Sequence, residues 1–64
     1  MLYEKYYAYG IGICYRYAFN KDEAVEILND SFMKVFDNID KFDENQPFRP
    51  WFRKIIINRA IDYY

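Results

Sequence analysis

Sixty-four residues with a formal net charge of −1 allow one domain, and a chain this short buries only about 60% of the surface it exposes when unfolded. Histidine is absent and cysteine occurs once, so no internal disulfide can form, and metal sites and nucleophile–base pairs lack most of their parts. No apolar run approaches the ~20 residues that span a bilayer, and the first residues lack the layout of a signal peptide, so the chain reads as a soluble cytoplasmic protein without catalytic activity, metal or cofactor.

In chain order, the first pattern is helical. Tyr3, Tyr6, Tyr7, Gly10, Ile13, Cys14, Tyr17 and Ala18 recur at three and four residues, while Glu4, Lys5, Gly12 and Arg16 take the other side. Asn20 then reads as the cap of a second helix, with Glu23 three positions on completing a capping box and Phe19 placed as the staple residue. That helix is expected from about Lys21 to about Asn38, burying Ala24, Ile27, Leu28, Phe32, Val35, Phe36 and Ile39. The polar stretch Asp43 to Pro47 marks a loop. A third helix starts between Pro47 and Pro50, because proline is tolerated in the first turn, and packs through Trp51, Phe52, Ile55, Ile56 and Ala60.

Without repeats or strand-like alternation, these patterns predict a single all-α domain over residues 1–64, a compact three-helix bundle. Ile27, Leu28, Phe32, Phe36, Trp51, Ile55 and Ile56 are the expected shared core. Eight tyrosines, six phenylalanines and one tryptophan supply large buried area per position. No capping residue follows Tyr64, and the chain reads as part of something longer.

Charge is unevenly spread: residues 1–19 carry +1, residues 20–46 carry −5 and residues 47–64 carry +3. In the second helix Glu26, Asp30, Met33 and Asp37 share an outward face, flanked by Asn29. This face reads either as a contact surface for a basic partner that also offers apolar area, or as a solvated face with one stray methionine. At the basic end Arg49 and Arg53 lie one turn apart, as do Lys54 and Asn58, with Arg59 completing the cations and Trp51 and Phe52 beside the loop. Guanidinium groups neutralise phosphate, rings stack on unpaired bases, and an exposed asparagine can read a base edge, so the set suits single-stranded nucleic acid. Trp51 and Phe52 also fit a plain core role.

The stretches "EAVEILNDSFMKVFDNIDKFD" and "PFRPWFRKIIINRAIDYY" together resemble the second conserved region of extracytoplasmic-function (ECF) sigma factors, the bacterial RNA polymerase subunits that recognise promoters. Glu23 to Phe32 occupy the register of the family's Asp-Ala-Glu-Asp-Leu-Val-Gln-Glu-Thr-Phe, with Asn29 in place of glutamine and Val25 in place of an acid. Phe48, Arg49, Trp51, Phe52, Ile55, Ile56, Asn58, Ile61 and Asp62 match its third helix. The resemblance implies that Glu26, Asn29, Asp30, Met33 and Asp37 dock on the basic β′ clamp helices of RNA polymerase core. It also implies that Arg49, Trp51, Arg53, Lys54, Asn58 and Arg59 hold promoter DNA at the melted, single-stranded minus-ten element. An anti-sigma factor is a further partner of the family, and its C-terminal helix-turn-helix domain is absent from this chain. The competing expectation is a small helical interaction or dimerisation module without DNA binding, with the tyrosine-rich first helix as its sticky surface.

Overall fold

Helix α1 (Leu2–Tyr17) carries its apolar stripe straight into the α1–α2 turn, where the Ala18 N–H still donates to the Cys14 carbonyl at 2.9 Å. The computed structural model describes residues 2–43 and 45–64, with side chains from Glu4 onward, so the Tyr3 side chain and Glu44 lie outside the described residues. Asn20 takes extended backbone and its side chain accepts the Glu23 N–H at 2.9 Å, which starts helix α2 (Lys21–Asn38) where the sequence places it. The box closes differently from expectation. The Glu23 carboxylate accepts from the N–H of Phe19, one residue before the cap, at 3.2 Å.

A 3-10 turn over Ile39–Lys41 ends α2. In the loop that follows, Asp43 organises the backbone: its carboxylate accepts the Asn45 N–H and its carbonyl the Gln46 N–H, each at 2.9 Å. Helix α3 (Phe48–Tyr63) follows Pro47 and holds Pro50 in its first turn, where a missing N–H breaks no intrahelical bond.

All three helices contact one another. Ile13 and Cys14 from α1, Ala24, Ile27, Leu28, Phe32 and Val35 from α2, and Phe52, Ile56 and Ala60 from α3 are buried together. Gly10 is buried because α1 passes very close to its neighbours: a Cβ there would stand 2.6 Å from Leu28 Cδ1 and 3.1 Å from the Phe52 ring. Ser31, wholly buried, satisfies its hydroxyl by donating to the Ile27 carbonyl at 2.7 Å.

Several expected core positions lie elsewhere. Phe36 is 54% exposed: its ring stacks on Phe32 at 6.5 Å, but Phe52 of α3 covers Phe32 and not Phe36. Ile39 is also exposed, because the change to three residues per turn rotates it off the α-helical stripe. Tyr17, in the last turn of α1, is exposed as well. Trp51 and Ile55 pack against the core half-buried. Phe19 does not staple α2. It is 86% exposed and meets Tyr64 edge-on at 5.1 Å, where the Phe19 N–H also donates to the Tyr64 hydroxyl at 3.1 Å.

Candidate functional site

The periodicity that buries Ala24, Ile27, Leu28, Ser31 and Val35 turns the remaining side of α2 outward. Glu26, Asn29, Met33 and Asp37 are exposed there and Asp30 is partly so, which brings the five predicted residues onto one face. Met33 is 64% exposed. Phe36, three residues further on, adds a second exposed apolar side chain that sequence reasoning assigned to the core. Periodicity could not have found it, because Phe36 falls one turn after the buried Phe32.

Two residues of α3 reach this acidic face. Arg59 Nε and Nη2 donate to Asp30 Oδ2 at 3.0 and 2.6 Å, the only ion pair among the described residues. The Tyr63 hydroxyl donates to Glu26 Oε2 at 3.0 Å, and this hydrogen bond is the main reason the phenol titrates above its ordinary value. The Arg59 guanidinium lies 5.3 Å from the centre of the Tyr63 ring. Arg59, which the sequence groups with the cations expected to hold DNA, engages the acidic strip.

The other basic residues stay at the opposite part of α3. Arg53, Lys54 and Asn58 line a shallow depression with Pro50 and Ile57, and Lys54 and Asn58 are exposed. Arg53 also borders a depression shared with Arg16 of α1, so α1 brings a further cation to the basic side. Arg49 lies over the Tyr9 ring at 5.5 Å, and the Tyr9 hydroxyl donates to the Arg49 carbonyl at 3.4 Å. Arg16 and Tyr9 were missed because their proximity to α3 is a property of helix packing rather than of spacing.

The loop before α3 is anchored by aromatic contacts. Phe42 packs on Trp51 at 4.7 Å and on Phe48 at 5.7 Å, while Phe48 meets Tyr6 at 4.4 Å and Phe52 at 5.4 Å. Trp51 thus has one side against Phe42 and Phe48 and stays half-exposed, whereas Phe52 is fully buried. Between α2 and α3, Lys34 and Asn38 face Asn58, Arg59 and Asp62 across a surface groove. Cys14, the one thiol, is buried and its pKa is pushed up to about 11 by burial, which suits packing rather than nucleophilic chemistry. Among the described residues no cluster of acids and cysteine could hold a metal, and no helix is long and apolar enough to cross a membrane.

Residues 2–64 match the family Sigma-70 region 2. The chain is similar to the ECF RNA polymerase sigma factor SigW of Bacillus subtilis (strain 168), with 40% identity over 50 residues, 78% of this chain and 27% of that protein. It is also similar to RNA polymerase sigma factor SigV of the same organism, with 28% identity over 51 residues, 80% of this chain and 31% of that protein. The chain spans less than a third of the length of these curated relatives. No solved structure gives a significant match.

Proposed function

The chain belongs to the Sigma-70 region 2 family, and on that premise we propose that it is the promoter-recognition domain of a bacterial ECF-type sigma factor, acting in the cytoplasm on RNA polymerase core and promoter DNA. The acidic face of α2 docks on the basic β′ clamp helices; the loop before α3 and the basic side of α3 hold the melted minus-ten element.

The observation that carries this reading is the unequal division of charge over one small bundle: Glu26, Asp30 and Asp37 on the α2 face, where Lys34 and Arg59 offset them in part, and Arg16, Arg49, Arg53 and Lys54 on the α1–α3 side. Glu26, Asp30 and Asp37 supply carboxylates to a basic partner, while Met33 and Phe36 supply the apolar area that charge alone lacks. Arg49, Arg53 and Lys54 neutralise phosphates, with Arg16 close by. Trp51 anchors the loop through Phe42 and Phe48 and keeps an accessible side beside the strand. Asn58, exposed one turn after Lys54, faces the bases.

The test is fluorescence anisotropy of a labelled minus-ten single strand titrated with the chain at several salt concentrations. Three or four phosphate contacts predict weak binding whose logarithm falls against log salt with a slope of roughly −2 to −3. Self-association of the chain without any DNA signal would instead support a helical interaction module.

A further inference from the structure

The acidic strip of α2 meets α3 in a repeated arrangement. Glu26 and Asp30 lie one turn apart, and so do the residues that bond them, Tyr63 and Arg59. Each contact ends on a single carboxylate oxygen, Oε2 of Glu26 and Oδ2 of Asp30. The other oxygen of each group takes no bond from the chain among the described residues, and an ionised carboxylate offers about four lone-pair sites. Arg59 and Tyr63 also contact each other through the guanidinium and the ring.

We propose that Arg59 and Tyr63 are positioning residues for polymerase docking, holding the carboxylates of Asp30 and Glu26 in the geometry that a basic partner helix meets. This rests on the reading of the α2 strip as the docking face. An unheld Asp or Glu on an exposed helix samples several rotamers and loses that freedom when a partner engages it. Here a bond from α3 already restrains each carboxylate, while the second oxygen of each group stays available. Glu26 and Asp30 also repel each other along the helix, and the Arg59 charge relieves that repulsion before the partner arrives. The opposing effect is that Arg59 lowers the negative field of the strip. It weakens long-range attraction but leaves short-range hydrogen bonding to the free oxygens intact, and short-range bonds govern how long a complex lasts. Committed to Asp30, Arg59 belongs to the docking side of the bundle rather than to the DNA side.

The experiment titrates RNA polymerase core with labelled chain. Tyr63→Phe keeps the ring and its contact with Arg59 and removes only the hydroxyl; it should weaken core binding roughly two- to fivefold with an unchanged melting temperature. Arg59→Ala should weaken core binding roughly three- to tenfold, and Arg59→Lys should restore part of the loss, since a lysine supplies charge without the two-pronged geometry. Parent-like or tighter core binding in Tyr63→Phe or Arg59→Ala overturns the proposal. So does an Arg59→Ala variant whose defect appears only with DNA, as a salt slope reduced by about 0.7. Glu26→Ala and Asp30→Ala separate this failure from the failure of the docking reading. If they lose core binding while the α3 variants keep it, positioning alone is refuted; if they also bind like the parent, the docking face itself is refuted.

Discussion

Adding one methyl group at two glycines of α1, two residues apart, should change stability in opposite directions. Neither glycine has positive φ, so both lie in helical backbone that alanine adopts freely and prefers by about 1 kcal/mol. At Gly12 a Cβ meets nothing within 4 Å, so Gly12→Ala should gain that full amount. At Gly10 the same Cβ would stand 2.6 Å from Leu28 Cδ1 with Phe52 ring carbons at 3.1 and 3.2 Å. Leu28 is a flexible side chain, but it and Phe52 are both fully buried, so neither has free space to move into. Overpacking of this kind costs about 1–3 kcal/mol, and two crowded neighbours place Gly10→Ala near the upper end. Subtracting the helical gain leaves a net loss of about 1–2 kcal/mol. In a domain of this size the two variants should therefore differ by roughly 10–20 °C in melting temperature, read by circular dichroism at 222 nm. Equal melting temperatures would refute the close approach of α1 to Leu28 and Phe52.

Phe32→Ala should cost about 3–5 kcal/mol and unfold the domain at room temperature, whereas Phe36→Ala, at a half-exposed ring, should cost about 1 kcal/mol or less, as urea denaturation will show. Because burial raises the Cys14 pKa to about 11, the folded state keeps a proton that the unfolded chain releases from about pH 9, so this contribution to stability is present below pH 9 and lost between pH 9 and 11. Over that window the parent should lose roughly 2–3 kcal/mol more than Cys14→Ala, in which the tyrosines still titrate; parallel pH curves would show that the thiol is not isolated from water. Arg53→Ala should weaken single-strand binding for every sequence and reduce the salt slope, while Asn58→Ala should change sequence preference and leave the slope nearly unaltered; a uniform loss in the asparagine variant would remove Asn58 from base reading.

The helices were legible in the sequence because each is specified locally. Asn20 and Glu23 mark the start of α2, Pro47 and Pro50 bracket the start of α3, and Ile27, Leu28, Phe52 and Ile56 repeat at the helical period. What was illegible depends on where one helix ends against another. Phe36 continues the α2 stripe, yet it lies at the stripe's edge, 54% exposed beside a wholly buried Val35, with the Phe32 ring as its neighbour. Phe19 has the spacing of a staple but finds Tyr64, 45 residues away in sequence. Arg59 belongs by charge to the basic end, but the helix crossing brings its guanidinium to Asp30, 29 residues earlier. The outward faces of α2 and α3 followed from periodicity alone. The bonds between Arg59 and Asp30 and between Tyr63 and Glu26 that join those faces needed the tertiary structure.

The measurement closest to the central claim is binding of the chain to isolated β′ clamp helices, compared among the parent, Asp30→Ala and Met33→Ala. Docking through the α2 face predicts a complex that weakens with salt in the parent. Asp30→Ala should lose affinity and part of the salt dependence, while Met33→Ala should lose affinity with the salt dependence unchanged, because it removes only apolar contact. Parent-like binding by both variants, with helix content preserved, would contradict docking through this face; a parent chain that does not bind the clamp helices at all would contradict the polymerase-docking role proposed for it.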